Sequence, residues 1–263
     1  MAARPLSSQR FTLSGTPVLL YHDVCKETAC DRFAVSLSSL KQQLLALREQ
    51  GFSVADLPTI RAGETPRCRV VLTFDDGLAS HYEHAFPALL ENGFSATFFV
   101  STALVGSAGY LTWSQIREMS DAGMTIGSHG FLHSDYSLLR PSLASYQLRA
   151  SRQSLESAIG KPVTSFSAPY GFLNKRLIEV ARNAGFEQIC SSLPSLAGST
   201  CTVIPRLAVY ADTSIAEFVA LAHGRPRPIL SRLARHAFLY CPKQVLLRTW
   251  PQRLGVSVQE VTR

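Results

Sequence analysis

Apolar runs of strand length alternate with amphipathic stretches of helical period along most of this chain. Pro17 to Tyr21 reads as a short strand, and Ser36 to Gln50 carries Leu37, Leu40, Leu44 and Leu47 at helical spacing before Gly51. Arg69 to Phe74 predicts a strand, residues 80–92 a helix stopped by Gly93, and Ser95 to Val100 a further strand. Thr112 is placed to cap a helix reaching Ala122, with Gly123 ending it and a strand following over 124–128. Helices near 141–159, 174–184 and from Ser214, with strands at 163–167, 186–190 and 203–209, complete the pattern, which contains no internal repeat. Such alternation predicts an α/β fold of parallel strands and crossover helices, either an open doubly wound sheet or a closed barrel.

Length and composition change this picture little. At 263 residues and 46% hydrophobic content the chain can build one large core. No stretch approaches the ~20 apolar residues of a membrane span, and Met1 to Arg10 lacks the apolar centre of a secretory signal, so a cytoplasmic protein is expected. Cys25, Cys30, Cys68, Cys190, Cys201 and Cys241 are scattered, with no Cys-x-x-Cys pair, and are read as reduced thiols; a Cys25–Cys30 loop disulfide is disfavoured in that compartment. Charge is more telling when divided. Residues 223–263 hold eight Lys or Arg against one acid, Glu260, so the whole formal excess of +7 falls in this tail.

The candidate chemistry follows the strands. Asp75 and Asp76 end the run Val70 to Phe74, and His129 and His133 follow Met124 to Ser128. Two adjacent carboxylates in a low-dielectric site repel, so both stay ionised only where a cation or hydrogen-bond donors compensate them. Two imidazoles and one carboxylate form an open ligand set for zinc or a similar ion, which leaves the second aspartate free as a base. Taken alone, Asp-Asp-Gly is more often a turn and a histidine pair more often solvated; their shared place after apolar strands favours a site. The glycine-rich phosphate-binding patterns are absent, which argues against a nucleotide site.

These motifs resemble a known family. Thr73-Phe74-Asp75-Asp76-Gly77, the His129/His133 pair and Ala168-Pro169-Tyr170-Gly171 stand in the order found in the polysaccharide deacetylases, the NodB-like carbohydrate esterases. Ala96 to Val100 and Leu111-Thr112-Trp113 through Ser128 are similar too, and the likeness spans roughly residues 16–222, between an N-terminal arm (1–15) and the basic tail (223–263). The resemblance implies a distorted (β/α) barrel of about seven strands. It implies one divalent ion, zinc first, with cobalt, nickel or manganese as alternatives, on Asp76, His129 and His133. Asp75 would be the general base, taking a proton from the attacking water, and the backbone N–H of Tyr170 would hold the oxyanion.

Most relatives place the acid histidine late in the domain. Here Leu19-Leu20-Tyr21-His22-Asp23-Val24 stands early, as in the rearranged branch typified by poly-N-acetylglucosamine deacetylases, so His22 is assigned as general acid, with Asp23 as its orienting partner. Many relatives carry an arginine where this chain has Ser167; Arg206 is the candidate replacement beside the base, with a surface ion pair as the alternative. Gly130 replaces a common Ser or Thr, removing a side-chain hydrogen bond behind the metal ligands. Pro169, Tyr170 and Trp113 are assigned to substrate contact, while Tyr110, Phe131, Tyr136 and Phe172 are divided between sugar stacking and core packing.

The expected activity is removal of N-acetyl, or O-acetyl, from a saccharide during polysaccharide biosynthesis. A deformylase or amidase acting on a lipid-linked amino sugar or small amide is the alternative, and a non-catalytic carbohydrate-binding protein is the alternative of another class. Residues 229–240 can be drawn as a basic amphipathic helix with Ile229, Leu230, Leu233, Ala237 and Tyr240 on one side. Such a segment either lies on an anionic membrane, where it would meet a lipid-linked substrate, or packs on the barrel. Nucleic acid is not an expected partner, since no recognition motif accompanies the charge.

Overall fold

The computed structural model of the chain describes residues 15–27, 31–57, 68–198 and 203–237. Seven parallel strands form its centre: β1 (Val18–Tyr21), β5 (Arg69–Phe74), β6 (Thr97–Val100), β7 (Thr125–Ser128), β8 (Ser165–Ser167), β9 (Gln188–Cys190) and β10 (Leu207–Ala208). Their order across the sheet is β10-β1-β5-β6-β7-β8-β9. Short β4 (Ser53–Val54) pairs with the start of β5, and β2 (Asp23–Cys25) pairs with β3 (Ala34–Ser36) as a separate parallel ribbon. The helices are α1 (Leu37–Glu49), α2 (Phe86–Glu91), α3 (Trp113–Asp121), α4 (Pro141–Ile159), α5 (Lys175–Asn183) and α6 (Ile215–Ala222). This is the distorted (β/α) barrel that the sequence implies.

The sheet closes through one segment. Ile204 exchanges backbone hydrogen bonds with β9 (Ile204 N–H to Ile189 O, 2.8 Å; Ser191 N–H to Ile204 O, 2.9 Å). Three residues on, Leu207 and Ala208 pair with Leu19 and Leu20 of β1. The predicted strand over 203–209 is therefore two short pairings in series, with Pro205, which has no N–H to donate, between them.

Strand parity sorts the buried residues into two cores. Leu19, Tyr21, Val70, Leu72, Phe74, Phe98 and Phe166 pack outward beneath the helices, whereas Val18, Val71, Phe99 and Cys190 fill the barrel interior. A strand buried on both faces shows as an unbroken apolar run, as Val70 to Phe74 does. Asp75 continues the interior parity of Val71 and Thr73, which turns its carboxylate into the barrel.

Side-chain capping explains most of the helix starts. Ser36, Asn174 and Ser214 accept from the backbone N–H three residues on, and Thr112 forms a full capping box with Gln115. The predicted helix over 80–92 is two pieces: a π-wound turn, His81–Ala85, runs into α2. Pro87 cannot donate to Glu83, and the Phe86 N–H reaches His81 O instead, an i−5 bond.

The start of the tail packs on the barrel. Residues 226–237 are helical, with Ile229 in the outer core and Arg232 almost buried, bonded to Glu217 Oε1 (2.9 Å) and Thr213 Oγ1 (3.0 Å). Leu230, assigned to the same face as Ile229, is 47% exposed, so the docked stripe runs through 229 and 232. Tyr240, the rest of the tail, the N-terminal arm through residue 14, and Cys30, Cys201 and Cys241 lie outside the described residues. Among the described residues no helix is long and apolar enough to cross a membrane.

Candidate metal and acid–base centre

Register brings the motifs together at the carboxyl ends of the strands. Tyr21 pairs with Phe74, and Asp75 N–H donates to Tyr21 O (3.0 Å), so His22 and Asp75 leave neighbouring strands at one level. His129 follows β7 and donates its N–H to Val100 O at the end of β6 (2.9 Å); the Pro169-Tyr170-Gly171 turn follows β8. In parallel α/β sheets this end collects functional loops.

Asp75 is buried and clamped. Arg206, fully buried, meets it with two parallel bonds, Nη1 to Oδ1 and Nη2 to Oδ2, both 2.7 Å. The same guanidinium donates to Ser167 Oγ (2.7 Å), Thr73 Oγ1 (3.4 Å) and, through Nε, Ser191 O (3.0 Å), so every N–H of its fork is used. Ser167 Oγ in turn donates to Asp75 Oδ2 (3.1 Å). Burial pushes the Asp75 carboxyl up, and the charge and hydrogen bonds of Arg206, together with the nearby His129 and His22, more than reverse this, leaving it below its ordinary value and ionised at neutral pH. Ser167 takes the place of an arginine by hydrogen-bonding one that arrives from the sheet's seam.

Asp76 faces the other way. Its φ of 81° and the 74° of Gly77 turn the chain sharply after β5; a Cβ on Gly77 would also lie 3.1 Å from Val100 Cγ1. Asp76 Oδ1 then lies 3.2 Å from both His129 Nε2 and His133 Nε2. Burial would raise the Asp76 carboxyl, but the two imidazoles hold it far below the carboxylate range. His129 is pulled down by burial and up, more strongly, by Asp75 and Asp76.

These three residues suit a metal ion. His129 Nδ1 lies 2.9 Å from Ser167 O, which can only accept, so a ring proton sits on Nδ1, and the neutral ring that a metal requires would turn its Nε2 lone pair toward Asp76 Oδ1. Tyr170 Oη, which donates to His133 O (3.4 Å), lies 3.2 Å from His133 Nδ1 and can accept a hydrogen bond from an Nδ1–H there, a tautomer that would leave the second Nε2 lone pair facing the same oxygen. With both rings neutral, three acceptors converge on one point, an arrangement that a cation between them satisfies. One ligand atom from each residue lies within 4.8 Å of the others, and imidazole and carboxylate donors together suit zinc and neighbouring first-row ions.

Tyr136 explains the Gly130 departure. Gly130 has φ 86°, and a Cβ there would lie 2.6 Å from Tyr136 Oη. That phenol accepts the N–H groups of Phe131 (2.7 Å) and Leu132 (3.2 Å), bracing the loop that carries both histidines. Tyr136 and Phe172 are buried, while Phe131 and Tyr170 stand at the rim, Tyr170 53% exposed with φ 60°. The hydrogen bonds of its turn, Gly171 N–H to Ala168 O and Phe172 N–H to Pro169 O, leave out the Tyr170 N–H. Pro169 is buried; Trp113 opens α3 half-buried against the outer core, and no hydrogen bond or ring contact joins it to the aspartates or histidines.

His22 is half-buried, its ring edge-on to Phe33 (5.1 Å) and its Nδ1 without a partner among the described residues. Burial lowers its pKa, with both aspartates near enough to pull it part of the way back. Asp23 is not its orienting partner: Asp23 Oδ1 accepts from its neighbour Val24 N–H (2.7 Å) and Ser80 Oγ (2.6 Å) and makes no hydrogen bond to the His22 ring. The group that holds residue 22 is His81, whose Nε2 lies 2.6 Å from His22 O. His81 was not a candidate in the sequence, although it shares the buried stripe of Ala85, Ala88 and Leu89 at helical spacing.

Residues 62–189 match a family model described as polysaccharide deacetylase, a span holding both aspartates, both metal-site histidines and Tyr170 but neither His22 nor Arg206. The poly-β-1,6-N-acetyl-D-glucosamine N-deacetylase of Escherichia coli is 26% identical over 81% of this chain, which spans 39% of that protein's length. A chitin deacetylase of Pestalotiopsis sp is 30% identical over 48% of this chain and 42% of its own. The structure of IcaB from Ammonifex degensii superposes with a TM-score of 0.72 at 29% identity, covering 80% of this chain and 97% of that one.

Proposed function

We propose that this chain, which belongs to the polysaccharide deacetylase family, is a metal-dependent hydrolase that removes N-acetyl groups from a saccharide. The observation that carries this is the division of labour between neighbours: Asp76 converges with His129 and His133, while Asp75 is held ionised by Arg206 within reach of the same space. When bound, a divalent ion on the first three residues supplies a Lewis acid and raises the acidity of water there.

Asp75 accepts the proton of the attacking water, and Arg206 fixes the direction of its carboxylate. The Tyr170 N–H, outside the bonds of its own turn, donates to the oxygen that gains charge as the amide carbonyl is attacked. His22, at the level of Asp75 on the adjoining strand, gives its proton to the departing nitrogen, in the order of the rearranged branch. Pro169 shapes the turn that presents Tyr170, and the exposed Tyr170 ring offers a face to the sugar.

The alignment with the E. coli relative makes β-1,6-linked N-acetylglucosamine oligomers the first substrates to test. Mass spectrometry of such oligomers incubated with the full chain and zinc, cobalt, nickel or manganese should show stepwise loss of acetyl groups that stops on chelation and resumes on metal return. Binding of the oligomers without acetyl loss under every metal overturns the proposal in favour of a binding protein. The finer reading of a lipid-linked saccharide met at the cytoplasmic face of an anionic membrane rests on the basic residues 223–263. Equal sedimentation with anionic vesicles by the full chain and a chain ending at residue 237 retires that membrane reading.

A further inference from the structure

We infer that His81 is a positioning residue for His22: it holds the backbone of the acid histidine to the same segment that carries the base and the metal ligand. This rests on His22 being the acid of the proposed reaction.

Residue 22 lies at the gap between β1 and β2. The ladder uses Tyr21 O for Asp75 N–H, and Asp23 N–H goes to Phe33 O (3.4 Å), so the His22 carbonyl stands outside both sheets. His81 Nε2 meets it at 2.6 Å. A carbonyl only accepts, so the proton of a neutral His81 ring sits on Nε2. The ring is fully buried, tilted against Phe74 (5.5 Å) and Phe98 (5.6 Å), and its Nδ1 has no partner among the described residues. Its one polar contact is therefore the His22 carbonyl.

A second bond reinforces the first. Ser80 Oγ donates to Asp23 Oδ1 at 2.6 Å, so consecutive residues of the turn after Asp-Asp-Gly grip consecutive residues after β1. The π-wound turn begins at His81, and its wider winding presents Ser80 and His81 to β2. Since Asp75, Asp76, Ser80 and His81 lie on one stretch of chain, the separation between acid and base is set within a few residues. Loss of the His81 donor frees the His22 backbone while leaving the metal ligands and Asp75 in place.

His81→Leu removes the donor, and His81→Gln keeps an N–H at similar reach. Both are compared with wild type, full chain and metal-loaded, on an N-acetylglucosamine oligomer and on 4-nitrophenyl acetate, whose leaving group departs as a stable anion without a proton. His81→Leu should lower kcat on the amide by at least about tenfold, with KM and ester turnover within about twofold of wild type. His81→Gln should restore most of the amide rate. Amide and ester rates falling together, or no rescue by His81→Gln, overturns the inference. Nitrogen NMR of the histidine rings gives a readout independent of turnover: His81 should be the neutral Nε2–H tautomer, and the His22 ring signals should move in His81→Leu. A proton on His81 Nδ1, or an unmoved His22, overturns it even where His81→Leu folds poorly and only wild type and His81→Gln can be compared. Wild type inactive on both substrates sinks the proposed function instead, and the spectra then decide the positioning role alone.

Discussion

Asp75 and Asp76 are joined by one peptide bond and belong to different regions of the molecule. Asp75 continues the interior face of β5 into a closed, fully satisfied ion pair from the seam of the barrel; Asp76, after a reversal to φ 81°, sits at the half-open rim among histidines. Two carboxylates this close can both stay charged because each has its own compensation: a permanent cation built into the fold on one side, imidazoles and a metal site on the other. The seam side fixes a charge and its direction, and the rim side is partly open to solvent.

Neutralising each carboxylate in turn should have the largest effects. Asp76→Asn should abolish both metal retention, read by elemental analysis after dialysis, and turnover. Asp75→Asn should keep the metal while turnover falls at least about a hundredfold; equal metal loss in both would erase the distinction between the regions. Next in size is Arg206→Met, which leaves a buried carboxylate uncompensated and should destabilise the metal-free protein by about 3–5 kcal/mol in urea denaturation. The pH dependence sharpens the point. The folded Asp75 pKa lies below its unfolded value of 3.8, so the stability it contributes is complete above that value and lost as pH falls through the folded pKa. Arg206→Met should flatten that acid limb, and an unchanged limb would assign it to other carboxylates. Smallest is Tyr170→Phe, which deletes the hydroxyl at His133 Nδ1; metal affinity should weaken by about tenfold, with stability in urea unmoved. A larger fall in stability would make Tyr170 part of the scaffold.

The rim was far more legible in the sequence than the seam. Asp76, His129 and His133 sit in compact motifs directly after strong apolar runs, and α4 matches its predicted limits because Pro141 opens it and Gly160, in the left-handed region, closes it. Arg206 was visible only as a candidate with a surface ion pair as its alternative, since its partner is set by closure of the barrel, a pairing between segments far apart that no local pattern encodes. Strands β2, β3 and β4 are two or three residues long, too short to show a period. His81 was hidden because a histidine on a buried stripe reads as one polar interruption in a helix, and its worth depends on a carbonyl 59 residues away. Asp23 misled by adjacency: a carboxylate beside a histidine in sequence bonded its own turn instead, as short acidic side chains do.

Closure through residues 203–208 also gives this protein a chronology. A nascent chain can gather Asp76, His129 and His133 once β7 and its following loop have emerged. The counter-charge of Asp75 arrives 131 residues after it, on the segment that joins the two edges of the sheet. The Asp76–His129–His133 cluster and the Asp75–Arg206 pair are thus completed by different stretches of the chain, and the second needs the barrel to be sealed.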